Sequence, residues 1–409
     1  MRVAVVMPYA SQHGGAELIL LSLMQDGRGR GIEWQVIFQE DGPLVGRIKA
    51  LGVKTHVVPS GRVRELPKMA LAIVRMTRIF SRERADVVLS WLGKAHVYAG
   101  IAAAALGLPA LVYHLNTPSH WNRLDRLTMR IPVCGIIAIS RMCAMEQLRL
   151  PPLLPIRIVY PGVDLRRFDS ARNVPPAQMR QKLGLPTDGP LVGCVGRLVR
   201  YKGAHRLIEA MPHLLAKVPD ARCVLVGGED STEPDYPKLL AERIAALGLD
   251  GKVILPGAMN NAQEWIQACD VFVHASHFET FGVVVIEAMS LGKPVVAGQT
   301  GGPAEIITQG KDGALCPVDD PAALGGAIAG YLTDPALYAA ASAAGRRRAE
   351  EFSNEAFVES MVAAVTELVS DHRAAASQGI PLRFARKDRS QWISPLRSAP
   401  LRSAPLRSA

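Results

Sequence analysis

Short apolar, often β-branched runs recur along the chain, separated by stretches of mixed polarity. RVAVVMPY, EWQVIFQ, KTHVVP, ADVVLSW, ALVYHL and CGIIAIS fall within the first 140 residues, and PLVGCVG, RCVLVGG, KVILPG, DVFVHAS and KPVVAG follow from residue 190. Each reads as a buried strand, and each is followed by a segment of the length that a parallel crossover needs. The alternation predicts an α/β chain of two doubly wound parallel-sheet halves. Between residues 160 and 190 the segment YPGVDLRRFDSARNVPPAQMRQKLGLPTDGP concentrates Pro, Gly and charge before a fresh strand starts at Leu191, which marks a seam. The reading is an N-terminal half over 1–165 and a C-terminal half over 166–370, with a last helix at 354–370 able to pack on either.

One stretch needs more than its composition. In HFETFGVVVIEAMSLGKPVV, residues 277–296, FGVVVI resembles a strand, yet EAMSLGKP ends as a helix ends, with Gly292 as the stop and Pro294 opening the next strand. The expected order is therefore strand DVFVHAS, loop HFET and a helix over about 281–291. Glu279 then lies on the loop and Glu287 about a turn and a half inside the helix. The longest apolar stretch, residues 97–113, is broken by Gly107 and Pro109, so it reads as a buried helix followed by a strand and not as a membrane span. MRVAVVMPYA suits a first strand better than the long apolar region of a signal peptide.

At 409 residues the chain is too long for one ordinary core, and 49% apolar with 21% charged residues is an ordinary globular composition. The six cysteines (Cys134, Cys143, Cys194, Cys223, Cys269 and Cys316) form no CxxC pair and sit mostly in apolar runs. They read as reduced buried thiols and hence point to a cytoplasmic protein. The formal net charge is +10, but residues 371–409 hold eight Lys/Arg against two Asp and close with three copies of PLRSA. Such a segment reads as a disordered basic tail. The body is then only mildly basic and has no module of interleaved aromatic and basic residues, so nucleic-acid binding is not expected.

Ligands of open parallel sheets bind beyond the carboxyl ends of the strands. After the first strand, Gly14 and Gly15 let backbone approach a ligand at a helix start, although a plain tight turn explains a lone Gly pair equally well and the GxGxxG spacing is missing. After PLVGCVG, Arg197 and Lys202 precede a helix and can reach one anion over its start; solvated surface charge is the plainer alternative. VLVGGEDSTEPDY is a glycine-rich turn of low specificity.

Taken together, GGAE (14–17), PGVD (161–164), GRLVRYKG (196–203), Glu279 and Glu287 at E-x7-E spacing, and TGGPAEII (300–307) occur in an order that resembles the retaining glycosyltransferases of family 4. The resemblance covers residues 1 to about 370. It implies the GT-B architecture, two Rossmann-like domains facing a central cleft, with the acceptor read by the N-terminal one and a nucleotide-sugar donor by the C-terminal one. Arg197 and Lys202 would bind the donor diphosphate with help from backbone amides near Phe281, Gly282 and Val283. Glu287 would take the ribose hydroxyls. Glu279 would face the donor sugar and steady an oxocarbenium-like centre. Gly14 and Gly15 would close over the phosphates, and His114, in VYHLNTP, would stand near the sugar and the acceptor hydroxyl. Two cations and a helix start can neutralise the leaving diphosphate without a metal, and no D-x-D occurs, so neither metal nor cofactor is expected. Tyr201 departs from the acidic or amide residue that many relatives place before the motif lysine.

The expected reaction is transfer of a hexose-type sugar to a hydroxyl acceptor, in bacterial surface-polysaccharide, lipopolysaccharide or glycolipid assembly. The segment RVRELPKMALAIVRMTRIFSRER carries Arg75, Arg78 and Arg82 at helical spacing, with Met69, Ile73, Met76 and Phe80 on another face. It reads either as a helix on the anionic inner face of the plasma membrane or as an ordinary crossover helix. Trp121 with Arg123, Arg126 and Arg130 forms a second basic cluster; both clusters suit a phosphorylated or lipid-linked acceptor. A nucleotide-sugar 2-epimerase, a transferase to a small-molecule acceptor, and an inactive binding protein are the alternatives.

Overall fold

The computed structural model describes residues 1–11, 15–115, 122–378 and the backbone of 393–394. The chain divides into two units, one formed by Met1–Gly162 together with the chain from Asn354, the other by Val163–Ser353.

The first unit contains strands β1 (Arg2–Met7), β2 (Glu33–Phe38), β3 (Lys54–Val57), β4 (Val87–Trp91), β5 (Ala110–His114), β6 (Gly135–Ala138) and β7 (Ile156–Ile158). The second contains β8 (Leu191–Val195), β9 (Arg222–Val226), β10 (Val253–Gly257), β11 (Val271–His274), β12 (Val295–Gly298) and β13 (Ala314–Cys316). A short β14 (Ile393–Ser394) pairs with β7. The strand orders are β14-β7-β6-β5-β4-β1-β2-β3 and β10-β9-β8-β11-β12-β13, and the pairings are parallel. In both sheets the order reverses beside the first strand, at β1/β4 and at β8/β11. That reversal is the switch point where doubly wound sheets leave a crevice.

All eleven runs picked from the sequence are strands; β7 and β13, each three residues long, carry too little pattern to be seen. Each sheet is sandwiched by helices whose inward side chains form its core. Met76, Phe80 and Tyr98 pack on Ala4, Val6 and Val88 in the first unit, and Leu207, Met211 and Leu324 on Val192, Leu225 and Val273 in the second. Each such apolar side chain contributes about 1.5–3 kcal/mol by leaving water. The cysteines are all free, and among the described residues no helix is long and apolar enough to cross a membrane.

Two boundaries differ from the sequence reading, and the last helix takes one of the two places open to it. The division falls at Gly162/Val163, before the expected 165/166, and the segment after it is tied into the second unit: the buried Arg180 donates to the carbonyl of Ala268 at 2.8 Å and pairs with Asp270. The last helix, Asn354–Ser377, belongs to the first unit, where it buries Phe357, Met361, Val365 and Leu368. Asn354 there donates to Asp26 at 2.8 Å, and Arg157 bonds Glu367 at 2.9 Å and Asp371 at 3.3 Å. Those last contacts carry the helix through Ser377, into the segment expected as a tail from 371, and β14 is a second ordered element inside that segment.

Candidate active site

The loops leaving β8 and β11 emerge side by side at the second sheet's switch point, and glycines hold them there. At Gly302, in TGGPAEII, an added Cβ would lie 2.0 Å from the Cα of Phe281, so only hydrogen fits. The amide of Gly302 donates to the carbonyl of Glu279 at 2.8 Å, and Thr300 Oγ1 donates to the carbonyl of His277 at 2.6 Å. This motif thus buttresses the loop that carries Glu279.

Glu279 is largely buried and accepts from two groups, the ammonium of Lys202 and Nε2 of His274, which is 3.3 Å away. Burial alone would raise its pKa; the His274 hydrogen bond and the Lys202 charge outweigh that and hold the carboxyl down at about 2. It is an anion throughout the physiological range. His274 ends β11, and its partnership with Glu279 was not foreseen from the sequence, because the residue sits inside an apolar strand run.

Arg197 makes two directed bonds. Nη1 donates to Asp230 Oδ2 at 2.8 Å, and Nη2 donates to the hydroxyl of Tyr201 at 2.7 Å. Tyr201, beside the motif lysine, therefore supplies an acceptor to Arg197. Asp230 is itself clamped by Thr232, whose amide and hydroxyl donate to Oδ1 at 3.0 and 2.6 Å. These bonds, with Arg197 behind them, lower its carboxyl to about 2. Asp230 belongs to the VLVGGEDSTEPDY turn, which looked unspecific because its acid contacts Arg197 only across the sheet edge.

The helix after Glu279 spans Val283–Ser290, two residues later than expected, because Gly282 takes the left-handed conformation at φ 99°. No side chain caps its start. Gly196, Arg197, Lys202, His274, Ser276 and Val284 line one small cavity of about 30 Å³, room for roughly one water. Glu287 is mostly buried inside this helix, its pKa raised by desolvation against a weak pull from Arg167, 3.8 Å away. The structure thus brings Arg197, Lys202, Glu279 and the start of the Val283–Ser290 helix together in the second unit, with Phe281 buried beneath them.

Gly15 and His114 lie in the first unit. Gly15 opens the helix Gly15–Asp26, and Gly14 falls outside the described residues. His114 ends β5, fully buried; desolvation lowers its pKa to about 4, and neither ring nitrogen has a hydrogen-bond partner among the described residues. The basic segment forms the helix Leu66–Arg82, which buries Ala72, Met76 and Phe80 in the core, as a crossover helix does. Its outer face exposes Leu66, Leu71 and Val74 beside Arg75, Arg78 and Arg82. In the second cluster Arg123 and Arg126 lie on a short helix, while Trp121 is outside the described residues.

Residues 13–167 match the model of Glycosyltransferase Family 4 and residues 177–348 that of Glycosyl transferases group 1. The chain is 34% identical over 415 residues to a D-inositol 3-phosphate glycosyltransferase of Acidothermus cellulolyticus, covering 92% of this chain and 91% of the relative. It is 32% identical over 200 residues to the lipopolysaccharide core biosynthesis mannosyltransferase LpsB of Rhizobium meliloti, covering 48% and 56% of the two chains. Among solved structures, Anabaena HepE in complex with UDP-glucose superposes with a TM-score of 0.75 at 25% identity, over 90% of this chain and 100% of that one. Two parallel α/β units of the GT-B fold, a cation-lined switch point in the second and both family models in their expected order place the chain among the group 1 glycosyltransferases, enzymes that depend on a nucleotide-sugar.

Proposed function

We propose that this glycosyltransferase moves a hexose-type sugar from a nucleotide diphosphate sugar to a hydroxyl acceptor with retention of anomeric configuration and without a metal. The observation that carries this reading is that Arg197, Lys202 and the first turn of the uncapped Val283–Ser290 helix line one cavity beside the anionic Glu279. Loss of a nucleoside diphosphate develops negative charge on its oxygens. Two cations and oriented backbone amides are fixed donors for that charge. Glu279, held as a carboxylate, stabilises the positive charge on the anomeric carbon and is no general acid at neutral pH. Glu287 is assigned to the ribose hydroxyls, and Phe281, Gly282 and Val283 to the phosphates. Gly14, Gly15 and His114 are assigned to the donor's phosphates and sugar by the family resemblance. The acceptor is placed in surface-polysaccharide, lipopolysaccharide or glycolipid assembly, with the outer face of Leu66–Arg82 resting on an anionic membrane.

A thermal-shift screen of UDP-, GDP-, ADP- and dTDP-sugars tests donor use, since a bound donor stabilises the fold by mass action. One donor is expected to shift the transition clearly. Transfer in the presence of EDTA, with the product linkage assigned by NMR, is expected to give the donor's own anomer. An inverted product, activity abolished by EDTA, or epimerisation of the nucleotide-sugar itself without any acceptor would each overturn the reading.

A further inference from the structure

The first unit has a larger cavity of its own, about 390 Å³, within the range of small-molecule sites. It lies beyond the carboxyl ends of β1, β2 and β3 and is lined by Pro8, Gln39, Glu40, Asp41, Ser60 and Lys94 among others. Gln39 is its unusual member. The backbone of Gln39 is fixed on both sides, its amide donating to Met7 at 2.9 Å and its carbonyl accepting from Ser60 at 3.2 Å. Its side chain is only 6% exposed, yet neither carboxamide atom has a hydrogen-bond partner among the described residues. A buried carboxamide left unpaired is costly, and in a cavity that opens to solvent a ligand can satisfy it.

The surroundings select the ligand's chemistry. Glu40 spends one oxygen on the amide of Ala10 at 3.0 Å, and Asp41 one on the amide of Gly42 at 2.8 Å, and the second oxygen of each has no hydrogen-bond partner among the described residues. Lys94 is held over the ring of Tyr9, 4.6 Å from its centroid. Two carboxylates against one ammonium repel a phosphate, whereas hydroxyls both donate and accept and so match a carboxamide and two carboxylates. We propose that this cavity binds an uncharged polyhydroxylated ring, a sugar or cyclitol bearing no phosphate, as the acceptor site, with Gln39 gripping adjacent hydroxyls. This rests on the transferase reading above.

Saturation-transfer NMR on the full chain with methyl α-mannoside, methyl α-glucoside, myo-inositol and inositol 3-phosphate tests it without requiring turnover. At least one neutral ring is expected to bind, Gln39→Leu to weaken it about tenfold by removing two hydrogen bonds, and inositol 3-phosphate to bind more weakly than inositol. Asp41→Lys, on the exposed rim where folding is not at stake, is expected to reverse that last preference. No neutral ring binding, equal binding to Gln39→Leu, or a wild-type preference for the phosphorylated ring overturns the inference. Ring binding without any response to nucleotide-sugars would sink the transferase reading instead, and a donor response without ring binding would sink only the acceptor site.

Discussion

The ammonium of Lys202 pairs with the carboxylate of Glu279, 77 positions away, so the β8 and β11 loops are joined by charge at the sheet's switch point. In the proposed reaction Lys202 would face two anions in turn, Glu279 in the free protein and the diphosphate of a bound donor. The His274 hydrogen bond and this pair together fix the ionisation of Glu279 against the cost of its burial. With a folded pKa of about 2, below its ordinary value, the carboxylate's stabilising contribution is fully present above the ordinary value and is lost only as pH falls toward 2. The pH–rate profile between about 5 and 8 should therefore contain no limb from Glu279. Glu279→Gln, which keeps shape and loses charge, should lower kcat by about 10²–10³. An acidic limb near neutrality that disappears in this variant, or an unchanged kcat, contradicts the assignment.

Arg197 is already engaged by Asp230 and Tyr201, so its guanidinium is oriented before any ligand binds. Arg197→Ala should cost about 2–4 kcal/mol in kcat/KM for the donor. Asp230→Asn removes only the exposed ion pair and should change kcat/KM by less than about tenfold, mostly through donor KM. Equal losses from the two variants would make Asp230 a direct participant and not an anchor.

The strands, the helix after Glu279 and the cationic pair were legible in the sequence because period, caps and charge are local signals. Glu279 and Lys202 could each be placed on a loop after a strand, and the strand order then made those loops neighbours. His274 and Asp230 were not legible. His274 is hidden in VFVHAS, where a histidine reads as core, and Asp230 matters only through a contact 33 positions away in sequence. Gly302 was seen as part of a motif, but its reason, a backbone passing too close for any Cβ, exists only in three dimensions. The last helix escaped assignment to a unit because its apolar stripe fits any sheet; its burial of Phe357, Met361, Val365 and Leu368 and its ion pairs with Arg157 are visible only in three dimensions.

Glu287 presents the opposite electrostatics to Glu279. Its folded pKa is raised by burial, so the stability it contributes is fully present below the ordinary carboxylate value and is lost as pH rises through the folded one. Deprotonating this buried carboxyl is a net cost that Arg167, 3.8 Å away, offsets only in part. Glu287→Gln should therefore melt a few degrees higher than wild type at pH 7, a gain of about 1 kcal/mol, with the difference shrinking toward pH 4. The same variant should bind the nucleotide diphosphate more weakly. A lower melting temperature at pH 7 would mean that the Arg167 pair outweighs the burial.

The helix Leu66–Arg82 satisfies the core with one face and leaves the other with three exposed aliphatic side chains beside three arginines. A headgroup layer accepts both the aliphatic side chains and the cations, so this face suits the proposed membrane contact. The full chain should co-sediment with vesicles containing phosphatidylglycerol and stay in solution with neutral phosphatidylcholine. Each arginine near an anionic surface contributes about 1 kcal/mol, so reversing Arg75, Arg78 and Arg82 to Glu should weaken binding by at least about 100-fold. Leu71→Ser with Val74→Ser should weaken it less, by an amount that high salt does not change, because that share is apolar and unscreened. Nucleotide-sugar hydrolysis in solution should be the same for all of these variants. Wild-type protein that ignores anionic vesicles, or charge reversal that leaves sedimentation intact, removes the membrane from the proposed function and makes Leu66–Arg82 a crossover helix alone.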